Sequence, residues 1–321
     1  MFISEPPAKF ADLQSIDDPI FRRAGIRCSI LRLDTFSSYA NGNKFFKLKQ
    51  NILQAKAQGF TRMLSFGGAY SNHIHALALA GRHFGISTVG IVRGDNLSVL
   101  NSTLTDAAAA GMELQFISRK DYKRRNDVDF LNYIRGQYPD CFVVPEGGSN
   151  VLGVQGCMEI IDHIHSHGVG RGGVIVVPCG TAATLAGIAA ACDTGEKVLG
   201  FSVLKNSHYL EAEVEKFIAD LSIESRDNWA ISHDYHCGGY AKLSTELVSF
   251  IDKFEQQHNI PIEPVYSGKM LFGLHQMLQL PQHSIAAGTH VIAVHTGGLQ
   301  GGRGMVEKMQ RKRTSIASPE Y

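Results

Sequence analysis

The 321-residue sequence has no C-x-x-C pair, no long apolar run and almost no charge imbalance, and each absence removes a class of protein. Its six cysteines (Cys28, Cys141, Cys157, Cys179, Cys192, Cys237) are scattered, which suits reduced core or pocket thiols rather than disulfide staples or a zinc cluster. The longest apolar runs, such as Val174 to Val177, are strand-sized and far short of a spanning helix. Lys and Arg total 31 against 30 Asp and Glu, so there is no broad electrostatic footprint for nucleic acid or an anionic membrane. Met1 to Phe10 carries an acidic residue and two prolines where a signal peptide needs an apolar stretch. These absences predict a soluble, cytoplasmic protein.

Glycine is plentiful instead. The 33 glycines include the pairs Gly67-Gly68, Gly147-Gly148, Gly172-Gly173, Gly238-Gly239, Gly297-Gly298 and Gly301-Gly302. Several directly follow strand-like runs, where open α/β sheets place their ligands. Strands are predicted at Met63 to Phe66, Ser87 to Val92, Leu114 to Ile117 and Cys141 to Val144. The helical runs between them are His73 to His83, Leu100 to Ala110 and Phe130 to Gln137. The pattern restarts with a helix at Leu152 to His165, a strand at Val174 to Val177, a helix at Thr181 to Ala191 and strands at Lys197 to Val203 and Val291 to His295. Alternation of this kind predicts two open α/β lobes with mostly parallel sheets and a ligand cleft between them.

Four segments carry chemistry. Lys44, in Gly42-Asn43-Lys44-Phe45-Phe46-Lys47, lies in an apolar setting that would desolvate an amine into a nucleophile; the structural alternative is a lysine on the exposed side of a helix start. Gly67-Gly68-Ala69-Tyr70-Ser71-Asn72-His73 brings backbone N–H groups and short polar side chains to a helix N-terminus, which suits a carboxylate or else merely caps the helix. Gly180-Thr181-Ala182-Ala183-Thr184 follows a buried strand and reads as a phosphate cradle, or as a close helix-to-sheet contact. It has neither the Lys-Ser/Thr of a Walker loop nor G-x-G-x-x-G, which disfavours a nucleoside triphosphate or a dinucleotide. Finally, Ser267 and Thr296 offer hydroxyls to a neutral aromatic nitrogen, and Tyr266 offers a phenol for proton transfer. A reactive lysine, a carboxylate loop and a phosphate cradle together describe a pyridoxal phosphate enzyme acting on a small amino acid.

Asn43-Lys44-x-x-Lys47-Leu48, Ser65-x-Gly67-Gly68-x-x-Ser71-Asn72, Gly180-Thr181-x-x-Thr184-x-Ala186-Gly187 and Pro264-Val265-Tyr266-x-Gly268-Lys269 resemble the 1-aminocyclopropane-1-carboxylate deaminase/D-cysteine desulfhydrase family. Pro145-Glu146-Gly147-Gly148-Ser149-Asn150 and Gly238-Gly239-Tyr240 also fit it, and order and spacing match from about residue 15 to residue 300. This family belongs to the tryptophan synthase β-like, fold type II, group of pyridoxal phosphate enzymes. The resemblance implies that Lys44 is the Schiff-base lysine and that Asn72 bonds the phenolic oxygen of the ring. It implies that Ser71, with backbone around Ala69 to His73, holds the substrate carboxylate, and that Gly180 to Thr184 bind phosphate. Tyr240 and Tyr266 match tyrosines that handle protons or the leaving group. It further implies a larger cofactor-binding domain from residues 1–50 and 156–321, a smaller one at 51–155 closing over the cleft, and a homodimer.

Within the family, ring-opening deaminases carry Glu where this chain has Ser267, and tend to have Leu where it has Thr296. Hydroxyls at both places resemble the desulfhydrase branch, and a neutral ring nitrogen suits elimination of a good leaving group. The expected reaction is α,β-elimination from D-cysteine to pyruvate, ammonia and sulfide, with Lys44 or Ser71 removing the α-proton. Deamination of 1-aminocyclopropane-1-carboxylate or of another amino acid is the alternative. Leu299-Gln300-Gly301-Gly302-Arg303 departs from the family's Pro-Ala-containing segment, and so bears on the substrate. From other classes come a metal-dependent enzyme using His163 and His167, spaced i, i+4, and a carrier that stores pyridoxal phosphate without turnover. The histidines are also explained as a solvated helix end, and retention of Lys44, Ser71, Tyr240 and Tyr266 speaks against a carrier.

Overall fold

The computed structural model describes residues 10–37, 41–94 and 99–317; the reading of the N-terminus at residues 1–9 lies outside them. Among the described residues ten strands form two sheets: β1 (Leu13–Ile16), β2 (Arg27–Arg32), β3 (Arg62–Gly68), β4 (Ser87–Arg93), β5 (Glu113–Ile117), β6 (Cys141–Val144), β7 (Val174–Cys179), β8 (Lys197–Ser202), β9 (Trp229–Ser232) and β10 (His290–His295). The six-stranded sheet runs β1-β2-β10-β7-β8-β9 and the four-stranded sheet runs β5-β4-β3-β6. Every pairing is parallel except the edge pair β1–β2, where Leu13 lies opposite Leu31. The architecture is the mixed α/β, mostly parallel one that the alternating pattern predicts. Strands β3 to β6 all lie inside the 51–155 stretch.

The inner strands explain their own composition. Val291 to Val294, Ile175 to Val177 and Ile30-Leu31 are buried between helices on both faces, so they read as continuous apolar runs rather than alternating ones. Strands β1, β2 and β9 escape sequence reading because they are short or interrupted by polar residues. The helix expected at Leu152 to His165 is in fact two, Val151–Met158 and Ile160–His165. They meet at Glu159, whose N–H bonds back to Gly156 in a tighter three-residue turn.

The solvated-end reading of the His163/His167 pair holds for exposed His167 but not for His163, and both rings are engaged by backbone rather than set to share a metal. His163 is buried among Phe10, Phe36 and Phe46, and its Nδ1 accepts from the Ala11 N–H at 3.0 Å. His167 Nε2 donates to the Ala11 carbonyl at 2.8 Å, so both rings are committed to one backbone residue. All six cysteines are free thiols, five of them buried. Among the described residues no helix is long and apolar enough to cross a membrane.

Candidate active site

The helix Asn43–Ala57 starts without a side-chain cap, and its position is set by backbone contact instead. Gly42 has φ of +75°, and a Cβ there would sit 1.9 Å from the Thr296 carbonyl oxygen. Only glycine allows that conformation and that approach together. The Asn43 N–H donates to the same carbonyl at 3.2 Å, which fixes the first helical turn, and with it Lys44, to the end of β10. At the other flank a Cβ on Gly156 would lie 1.9 Å from the Phe46 carbonyl, so the helix also packs closely on Val151–Met158.

Lys44 is partly buried on this turn. Desolvation, and then the like charge of Lys47, bring its pKa down to about 7, so a large share of the amine is neutral near neutral pH. Lys47 is 1 % exposed and its Nζ donates to Thr181 Oγ1 at 3.0 Å. Burial lowers its pKa also, and among the described residues no carboxylate pairs with it. Ser149 Oγ donates to Thr181 as well (2.7 Å), and Asn43 Nδ2 donates to Thr184 Oγ1 (2.9 Å). The helix Ala183–Ala191 has no side-chain cap at its Ala182 start. Uncapped N–H groups, two threonines and a buried cation without an anion make an anion cradle. Sequence reading found the threonines and passed over Lys47, whose i+3 spacing from Lys44 puts both amines on one helix face.

The carboxyl end of β3 supplies the second wall. Ser71 caps the helix Asn72–Phe84 by accepting from the Ile74 N–H (3.3 Å), and a Cβ on Gly67 would lie 2.6 Å from Ser71 Oγ. The hydroxyl therefore both caps and sits on the glycine loop. His73 is buried, and its Nε2 lies 2.8 Å from Ser65 Oγ. Ser65 donates to the Val144 carbonyl, so His73 donates through Nε2 and leaves Nδ1 as a buried acceptor with no partner. Burial and the two lysine charges hold this ring well below its ordinary pKa, hence neutral. The 299–305 segment that departs from the family closes on Asn72: Gln300 Nε2 donates to Asn72 Oδ1 at 3.3 Å, and a Cβ on Gly301 would lie 2.4 Å from that oxygen. Arg303 and His75 share Asp106 Oδ2, at 2.5 and 3.2 Å.

Tyr266 and Tyr240 meet with hydroxyls 3.5 Å apart, and a Cβ on Gly180 would lie 2.7 Å from the Tyr266 ring. The tyrosine pair thus borders the anion cradle. Burial pushes both phenols above their ordinary pKa, so they are protonated donors. Ser267 is fully buried, with an Oγ that has no hydrogen-bond partner among the described residues. A nearby carboxylate escaped sequence reading: buried Glu263 accepts from the N–H groups of Val265, Tyr266 and Ser267 at 2.7, 2.8 and 2.5 Å. Burial nonetheless raises its pKa to about 7. Its oxygens are engaged by backbone, which holds Tyr266 and Ser267 in place. His295 ties the same loop to β10, with Nε2 donating to the Pro261 carbonyl (2.8 Å) and Nδ1 accepting from the Gly297 N–H (3.1 Å).

A family model described as pyridoxal-phosphate dependent enzyme matches residues 19–297. A Thermotoga maritima protein named putative 1-aminocyclopropane-1-carboxylate deaminase is 29% identical over 291 residues, covering 86% of this chain and 90% of that protein. The Arabidopsis thaliana mitochondrial bifunctional D-cysteine desulfhydrase/1-aminocyclopropane-1-carboxylate deaminase is 29% identical over 307 residues, 89% of this chain and 75% of that one. Among solved structures, a homologue of 1-aminocyclopropane-1-carboxylate deaminase superposes with a TM-score of 0.82 at 22% identity, over 95% of this chain and 94% of that one. The residues present fit the cofactor that the family model implies. Buried Lys47 beside Thr181 offers a donor to an anion, the Ser267 hydroxyl has no partner among the described residues, and Lys44 is an amine able to react near neutral pH.

Proposed function

The chain belongs to the pyridoxal-phosphate dependent enzyme family, and on that premise we propose that it eliminates the β-substituent of a small amino acid, D-cysteine being the substrate to test first, with pyruvate, ammonia and sulfide as products. The observation that carries this reading is the buried, unpartnered Ser267 hydroxyl, placed where the resembling deaminases carry a carboxylate. Glu263 does not substitute for that carboxylate, because both its oxygens accept from backbone N–H groups.

Bound cofactor supplies an aldehyde for the substrate amine and an aromatic ring that takes up electron density as the α-proton leaves. The protein's part is positioning and proton transfer. Lys47, Thr181 and the N–H groups of 180–184 would hold the phosphate, and Ser267 with Thr296 would offer hydroxyls to the ring nitrogen. Ser71 and the backbone of 69–73 orient the substrate carboxylate at a helix N-terminus. Lys44, neutral in part near pH 7, takes the α-proton at Nζ. Tyr240 and Tyr266, both protonated, give a proton at the leaving group. Residues 51–155 act as the smaller lobe that closes over the cleft, and the enzyme works as a cytoplasmic homodimer.

Deamination of 1-aminocyclopropane-1-carboxylate is the second reading, supported by the name of the Thermotoga maritima relative and by the paired tyrosines. Purified protein with added pyridoxal phosphate is to be assayed for sulfide plus pyruvate from D-cysteine, and for 2-oxobutyrate from the cyclopropane. Sulfide from D-cysteine, lost in Lys44→Ala, supports the elimination. Turnover of the cyclopropane alone replaces it with the second reading. Sulfide production that survives in Lys44→Ala overturns the assignment of Lys44.

A further inference from the structure

Sheet geometry gathers a second set of chemically able side chains that are distant in sequence. Strands β8 and β9 are parallel neighbours, and the loops leaving their carboxyl ends run side by side. The first loop delivers Ser207 and His208 to the start of the helix Tyr209–Asp220, which carries Glu211 one turn on. The second begins at His233 and leads through Gly238-Gly239 to Tyr240. His233 Nε2 lies 2.6 Å and His208 Nδ1 3.9 Å from the same oxygen, Glu211 Oε1. The two imidazole centroids are 4.1 Å apart.

Three details separate this cluster from an ordinary surface ion pair. Glu211 Oε2 is buried and has no hydrogen-bond partner among the described residues, a state that costs free energy unless something else occupies its lone pairs. His233 is held from behind: its Nδ1 lies 2.8 Å from Ser207 Oγ, and buried Ser207 is fixed in turn by Ser202 Oγ at 2.6 Å. Anchoring one ring nitrogen fixes the direction in which the other points, as a metal-bound histidine requires. One ligand atom from each of His208, Glu211 and His233 lies within 4.8 Å of the others. Donors around a tetrahedral zinc are separated by about 3.3 Å, a spacing that a small rotation of the 80 %-exposed His208 would reach.

We propose that His208, Glu211 and His233 form a zinc site, with two imidazole nitrogens, a carboxylate and one position left for water. Two nitrogen donors favour zinc over magnesium or calcium, which take oxygen. The metal joins the helix Tyr209–Asp220 to the segment that delivers Tyr240, which already packs on the β8 loop where Gly239 meets Lys205 and which receives the Lys269 ammonium on the Gly239 carbonyl at 2.6 Å. Its role is therefore structural, and the inference does not depend on which amino acid the enzyme uses.

The test is a calorimetric titration of the full, cofactor-loaded chain with zinc after dialysis against a chelator. No amino acid is added, because thiols compete for the metal. One zinc per chain is expected, with a tetrahedral visible spectrum when cobalt replaces it and a higher melting temperature in its presence. His208→Ala, a change at an exposed position that leaves the fold intact, should abolish all three effects. Ser207→Ala should weaken zinc by about 10–100-fold, a loss that an ion pair between Glu211 and His233 would not produce. Absence of zinc binding by the wild-type chain, or equal binding by wild type and His208→Ala, overturns the proposal.

Discussion

Gly42 offers the sharpest test of how the site is positioned, because another glycine serves as its control. Gly42 and Gly59 flank the same helix and both have positive φ, +75° and +78°, with Gly42 extended at ψ of −159°. An alanine at Gly59 pays about 1–2 kcal/mol for its positive φ, whereas at Gly42 the extended positive-φ conformation, essentially reserved to glycine, costs about 1–3 kcal/mol. Both also gain the same small amount from a stiffer unfolded chain. They differ in surroundings: nothing lies within 4 Å of a Cβ on Gly59, whereas at Gly42 it would be 1.9 Å from the Thr296 oxygen and 2.9 Å from the Gly297 Cα. Backbone cannot rotate away as a side chain can, so Gly42→Ala must push the helix off β10, at about 1–3 kcal/mol more. We expect a total loss of about 2–6 kcal/mol for Gly42→Ala against about 1–2 for Gly59→Ala, read from urea unfolding of cofactor-free protein. Since Lys44 and Lys47 ride on the displaced turn, visible absorption of bound cofactor should also fall for Gly42→Ala and stay normal for Gly59→Ala. Equal destabilisation with normal cofactor uptake in both would refute the argument that Gly42 sets the position of Lys44.

Lys47→Met should weaken pyridoxal phosphate by about 10–150-fold, the equivalent of a lost charge-assisted hydrogen bond of about 1.5–3 kcal/mol. The same change should stabilise the cofactor-free protein by removing a buried unpaired cation; a variant that unfolds more easily in both forms contradicts that account. Ser267→Ala should leave the cofactor-free stability unchanged or raise it by about 1 kcal/mol, because its hydroxyl bonds nothing, while cofactor binding weakens. The Lys44 shift also has a defined pH signature. Between about 7 and 10.5 the unfolded chain keeps a proton that folded Lys44 has released, so the stability of the cofactor-free protein rises with pH across that window. Urea midpoints of wild type and Lys44→Met compared through this range should diverge, and parallel curves would remove Lys44 as the source.

The parallel sheets and most inner elements were legible because buried strands write themselves as Val/Ile runs and glycine pairs mark their carboxyl ends. The edge strands β1 and β9 were not, since four residues with polar members carry too little pattern. At the candidate site, local motifs pointed to Lys44, Ser71 and Thr181. Three residues that hold them needed contacts across the chain: Gly42 matters because of Thr296, His295 because of Pro261, and Lys47 because of Thr181. Glu263 escaped for a different reason. A carboxylate near a ring site is sought as a partner for the ring, and this one is spent on three backbone N–H groups. His163 was read with His167 as a solvated helix end, because spacing alone does not show that Phe10, Phe36 and Phe46 bury one of the two rings.

The placement of β10 between β2 and β7 has a consequence for the order in which the protein can be built on the ribosome. The four-stranded sheet comes from one unbroken stretch of chain, so its strands can pair as soon as they emerge, N-terminal regions folding first. The helix bearing Lys44 is synthesised earlier still, yet its anchor, Thr296, arrives only with the end of β10. Until then β2 lacks its parallel neighbour and the reactive amine has no fixed position. The fixing of Lys44 thereby waits for the last strand of the sheet, and a nascent or truncated chain lacking β10 would present Lys44 to solvent as an ordinary lysine.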